Sequence, residues 1–170
     1  MSAILGIDLG ERRIGVAIAE VSGGEVPGTG ARPLSTIRRG RDVGADVAAL
    51  RALIDTHGIA ELVVGLPIDT SGAEGQQAAR TRGWADALGA ILAERVSISF
   101  QDERLTSHVA ETRLGPMPRG RSGGPPSRQQ RDAYRARVDR EAAAIILQDF
   151  LDSRRALSTT SNRPTMEPRP

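Results

Sequence analysis

Residues Ile4–Glu20 read ILGIDLGERRIGVAIAE: two apolar runs joined by the charged hinge Gly10–Arg13, with one carboxylate, Asp8, inside the first run. Ala3–Leu9 and Ile14–Glu20 have the character of strands, and the short connection suits an antiparallel hairpin. An unpaired carboxylate is very costly to bury. Asp8 therefore predicts a strong partner, and that partner's other ligands should lie elsewhere in the chain.

Working outward, Pro33–Arg38 (PLSTIR) fits a third, shorter strand after the Gly-rich loop Ser22–Gly30. Asp42–His57 carries Val43, Val47, Leu50, Leu53 and Ile54 at helical spacing, with Gly58 as the stop. Glu61–Leu66 is a buried strand bounded by Gly65 and Pro67; the crossover helix before it places it parallel to the first strand. A loop at Thr70–Gly75 leads to a helix over Gln77–Glu94, whose inner face is Ala78, Ala85, Leu88, Ile91 and Leu92. Val96–Phe100 alternates as a fifth strand and runs into Gln101–Arg104. Thr106 caps a brief helix reaching Leu114, and a last helix spans Val138–Ser153. The order β-β-β-α-β-α-β-α predicts an α/β fold, a mixed five-stranded sheet flanked by helices.

The 170 residues suit one domain. The expectation is a domain over 1–155, a mobile basic loop at 115–131 and a disordered tail at 156–170. With no long apolar run and no basic-then-apolar leader, neither a membrane span nor a secretory signal is read, and a cytoplasmic protein is expected. The absence of Cys excludes a disulfide frame, a thiolate metal site and a cysteine nucleophile.

All 23 cationic side chains are Arg, so the pI near 10.2 beside a net charge of +2 reflects how little titrates between His and Tyr. Their distribution is more informative. Arg113–Arg140 holds eight Arg against Asp132 and Asp139, while the body of the chain is acidic. Such a segment fits a local grip on phosphates, with Arg119, Arg121 and Arg128 as substrate-binding candidates; a solvated loop is the plainer reading of the same charge. The few aromatics, Trp84, Phe100, Tyr134 and Phe150, make no base-stacking platform, with Tyr134 the one stacking candidate. Nucleic acid would be held through Arg and backbone contacts to phosphate. His57 and His108 are read as a helix-end and an exposed helical residue.

Three acids stand where a sheet-based site would place them: Asp8 on the first strand, Glu103 just past the fifth, and Asp139 in the first turn of the last helix. If strands one, four and five are parallel, Asp8 and Glu103 meet at the carboxyl ends of the strands. Like charges so close need a cation. Hard oxygen ligands suit Mg²⁺ or Mn²⁺, and a pair of such ions would activate water and stabilise the leaving oxygen in phosphodiester hydrolysis. Each acid also has a simpler role: Asp139 favours the positive end of its helix, and Asp102 or Glu103 ends a strand.

Four stretches, IDLGERRIGVAIAE, VVGLPIDTSGAEG, QDERLTS and VDREAAAIIL, resemble in order and interval the YqgF/RuvX family over roughly Leu5–Leu151. The resemblance implies a ribonuclease H-like fold in a family of pre-16S rRNA nucleases or Holliday-junction-resolvase-like nucleases. It implies that Asp8, Glu103 and Asp139 are the catalytic metal ligands. The D-x-G motif maps onto Asp8 and Gly10, with Arg13, Gly15 and Ala17 completing it; Arg13 would bind substrate, and Arg104 would contact substrate phosphate or support the metal ligands. The G-L-P motif maps onto Gly65, Leu66 and Pro67, with Gly72 and Gly75 beyond. Small Ala142 and Ala143 would let the last helix approach the sheet. If the fifth strand continues, Asp102 and Glu103 point to opposite faces, which leaves the part of Asp102 open.

The expected activity is Mg²⁺- or Mn²⁺-dependent nuclease action in maturation of the 16S rRNA 5′ end. A Holliday junction resolvase would use the same site and need a homodimer. Two further readings are a non-catalytic RNA-binding module and a fragment of an actin-like ATPase, whose phosphate-binding hairpin Asp8–Gly10 resembles; such ATPases need about twice this length.

Overall fold

A computed structural model describes residues 2–22, 30–68, 75–92, 95–103, 106–120 and 123–161, with side chains to Leu157. Arg104, Arg121, Gly72, most of the two loops expected at Ser22–Gly30 and Thr70–Gly75, and the last part of the tail lie outside the described residues.

Strands β1 (Ser2–Leu9) and β2 (Arg13–Val21) form the expected antiparallel hairpin, with Asp8 opposite Gly15. The turn is closed where the Gly10 amide donates to the Arg13 carbonyl at 2.9 Å. Strand β3 (Arg32–Arg38) pairs antiparallel with β2. Helix α1 (Val43–His57) leads to β4 (Ile59–Pro67), which pairs parallel with β1. Helix α2 (Gln76–Leu92) leads to β5 (Ser97–Glu103), parallel to β4. Helices α3 (Thr106–Leu114) and α4 (Arg128–Ser161) follow, and the sheet order is β3-β2-β1-β4-β5. Among the described residues no helix is long and apolar enough to cross a membrane.

The two faces of the sheet differ in the size of their side chains. Leu5, Ile7, Ile14, Val16, Leu62 and Val64 pack with Val47, Leu50, Trp84 and Leu88 of α1 and α2. On the other face Ala17, Ala19 and Val63 meet Ala143, Ile146 and Leu147 of α4. Glycines bring this helix close. A Cβ at Gly6 would lie 2.7 Å from the Ala143 carbonyl oxygen, and one at Gly15 would overlap the Asp139 backbone. The Asp42 side chain caps α1 at the Ala45 amide, and Gly58, at φ 61°, ends it as its position implied.

Three elements depart from expectation. Helix α2 turns Thr81 and Trp84 inward and leaves Ile91 44% exposed. Strand β5 runs through Glu103, because its ladder continues alongside Gly65–Pro67. Helix α4 begins at Arg128, so the expected limits of the basic loop at 131 and of the domain at 155 both fall inside a helix. The reason lies in a capping box: the Ser127 hydroxyl accepts from the Gln130 amide, and the Gln130 side chain accepts from the Ser127 amide. The Arg, Gln and Ala residues that follow are good helix formers.

Candidate active site

Alternation along β1 points Ile4, Gly6 and Asp8 toward α4, at the carboxyl end of the central strand. The Asp8 carboxyl is pushed up to about 8, first by burial, then by Glu103, then by Asp139. Glu103, the last residue of β5, is also raised by burial. Its Oε2 lies 3.0 Å from where a Cβ on Gly65 would stand, so this glycine makes room for the carboxylate between β1 and β5. Asp102 is exposed, and because β5 continues through Glu103 the two side chains alternate to opposite faces.

Asp139 reaches the same end of the sheet because Gly15 admits the α4 backbone beside the hairpin. Its Oδ2 accepts from Arg13 Nε. Asp8 thus feels both of the other expected acids. The donor set is all carboxylate oxygen, the chemistry that suits a divalent cation. Among the described residues no three acids stand gathered as a finished metal cage, and Arg13 holds one of the acids.

Beside Glu103 opens a cavity of about 370 Å³, lined by Pro67, Ile68, Gln76, Gln77, Thr106 and Ser107 among others. Arg119 and Arg128 are exposed, Arg128 lying 3.9 Å from Asp132. Tyr134 is no stacking platform. It is buried against α3, and its hydroxyl donates to the Gly115 carbonyl at 2.8 Å. His57 ends α1 and His108 is exposed on α3, as read.

The sequence reading missed Asp46. This carboxylate is 1% exposed and accepts from the Gly40 amide at 2.8 Å, from Trp84 Nε1 at 3.0 Å and from Arg39 Nε at 3.4 Å. Arg39 also donates its amide to the Arg12 carbonyl, tying this network to the turn beyond Asp8. One signal was available: a core Trp needs an acceptor for its ring N–H.

A mixed sheet in this order, acids at the carboxyl ends of its parallel strands and a helix laid across one face define a ribonuclease H-like α/β protein. The RuvC structure from Thermus thermophilus superposes with a TM-score of 0.50 at 16% identity, covering 91% of this chain and 96% of that one. Residues 2–153 match RuvX, described as "Holliday junction resolvase", and the chain belongs to that family. A relative from Chloroflexus aggregans is 40% identical over 89% of this chain and 94% of its own length. One from Synechococcus sp. is 42% identical over 90% and 91%. Both carry the name "Putative pre-16S rRNA nuclease".

Proposed function

We propose that this chain is a cytoplasmic, divalent-metal-dependent nuclease that hydrolyses phosphodiester bonds at the 5′ end of pre-16S rRNA. The observation that carries the reading is the convergence of Asp8, Glu103 and Asp139, in which burial and two neighbouring acids make ionised Asp8 costly without a cation. The names of the relatives supply the substrate. Asp8, Glu103 and Asp139 would hold Mg²⁺ or Mn²⁺, which when bound supplies charge for the scissile phosphate and an acidified water.

The residues of the chain itself do the positioning. Asp8 sits centrally, Glu103 beside the polar cavity, and Asp139 on α4. Arg13, Arg104, Arg119, Arg121 and Arg128 would pair with backbone phosphates and orient the strand without reading its sequence. Arg13 would pass from Asp139 to phosphate as the acids take up the cation.

A second reading, cleavage of four-way DNA junctions by a homodimer, is supported by the description of the family. The test sets Asp8→Asn against the unaltered protein in Mn²⁺, on 5′-extended 16S precursor and on a four-way junction. Loss of cleavage is expected, and the substrate that the unaltered protein cuts chooses between the readings. Undiminished cleavage by the variant would overturn both.

A further inference from the structure

Helix α4 runs antiparallel to β1, since Asp139 lies over Gly15, opposite Asp8, while Ala143 and Leu147 lie over Gly6. At Ala136, whose carbonyl accepts from Thr36, the helix lies on β3 level with Gly15, and its first two turns, Arg128–Arg135, come before that point and so on the far side of it from Ala143. At 1.5 Å per residue, Arg135, Arg131 and Arg128 stand about 6, 12 and 16 Å along the axis before Asp139. At 100° per residue, Arg128 and Arg135 point within about 40° of Asp139, and Arg131 within about 80°. All three are exposed.

The back of these turns is braced. Tyr134 and Val138 bury against Ala110 of α3, with Leu114 and Met117 beside them, and the Tyr134 hydroxyl is bonded to Gly115. Arg128 stands near Asp132, and Arg131 donates to the Pro126 carbonyl at 2.6 Å. Among the described residues no acid is paired with Arg131 or Arg135.

We infer that Arg128, Arg131 and Arg135 form a rail that grips phosphates of one nucleic-acid strand and leads that strand to Asp8, Glu103 and Asp139. This rests on the nuclease reading above. With Tyr134 buried, the rail has no ring to stack on a base, so its grip is independent of sequence. The helix, more than the loop before it, is then the guiding element, because Arg128 and Arg135 stand within about 40° of Asp139 around its axis, with Arg131 on the flank beside Val138.

The test measures binding by the full chain in EDTA, where cleavage is silent, to a 5′-extended 16S rRNA fragment and to a four-way DNA junction. Salt is varied from 50 to 200 mM. For R131Q/R135Q the slope of log K against log salt is expected to fall by about 0.7 to 0.9 per lost contact, and R131K/R135K to restore it. R51Q/R95Q, which removes the same charge from α1 and from the amino end of β5, is expected to keep the slope. A slope unchanged in R131Q/R135Q, reduced equally in R51Q/R95Q, or not restored by lysine would overturn the rail. If the rail fails while Asp8→Asn still abolishes cleavage, the nuclease reading stands. If the unaltered protein binds neither nucleic acid, both fall.

Discussion

Arg13, the first residue of β2, donates through Nε to Oδ2 of Asp139 on α4, linking positions 126 apart in the chain. The cation of the β1–β2 hairpin thus fixes one of the three acids. Both side chains are about three-quarters buried, between the regimes of exposed and buried pairs. Arg13→Gln is expected to lower stability by about 1 to 2 kcal/mol in EDTA, near the worth of a charge-assisted hydrogen bond. Saturating Mn²⁺ is expected to recover most of that loss, because the ion replaces the missing charge. Urea unfolding under the two conditions checks this; an equal loss in both would mean that Arg13 acts through packing alone.

Gly15 is where the hairpin and α4 touch backbone to backbone. A methyl group there meets the Asp139 carbonyl and the Arg140 amide, neither of which can rotate away. Gly15→Ala is expected to cost about 1 to 3 kcal/mol through overpacking and to reduce cleavage further than that loss of folded protein explains, since Asp139 must shift. Gly83→Ala, with nothing near its Cβ, serves as the control and is expected to match the unaltered protein in activity. The comparison needs the urea midpoint and the cleavage rate of each variant.

These contacts show why some of the molecule was legible in the sequence and some was not. The hairpin, the parallel pairing of β4 and the approach of Asp8 to Glu103 follow from strand alternation and crossover rules, which act on neighbours a few residues apart or on whole elements, whereas Asp139, on a helix, joined them only through the family resemblance. Arg13 was assigned to substrate alone, because a pair spanning two distant elements leaves no local pattern. Asp46 went unnoticed because its burial depends on Trp84 arriving from another helix. The start of α4 was legible in principle: the capping box Ser127–Gln130 stood in the sequence, hidden by the Gly and Pro residues before it.

The raised carboxyl of Asp8 has a defined pH signature. Its ordinary value is 3.8, and in the folded protein it is about 8. Between these values the folded state binds more protons than the unfolded chain, so stability falls as pH rises from about 4 to about 8. Raised Glu103 acts in the same direction. In EDTA the urea midpoint is expected to be higher at pH 5 than at pH 8, and Asp8→Asn is expected to flatten that trend. A midpoint that rises over this range in the unaltered protein, with Asp8→Asn following the same course, would show that Asp8 is not held protonated.

The network at Asp46 makes the fourth prediction, and it separates scaffold from chemistry. Oδ1 accepts from the Gly40 amide, while Oδ2 accepts from Trp84 and Arg39. An amide side chain offers one acceptor oxygen in place of two, so Asp46→Asn sets a donor against a donor in the interior. A loss of about 2 to 3 kcal/mol is expected, the range for a buried donor left unpaired beside a severed charge contact. Trp84 is the sole tryptophan, so its emission reports the site directly, and the variant is expected to shift that emission in the native state. Trp84→Phe removes one of the donors and is expected to cost less. Arg39 also donates its amide to Arg12, so slack introduced at Asp46 travels to the turn that follows Asp8. Cleavage by Asp46→Asn is therefore expected to fall several-fold at a temperature where the variant is fully folded. Unfolding within about 0.5 kcal/mol of the unaltered protein, the range of an inconsequential surface change, would show that the three donors find other partners.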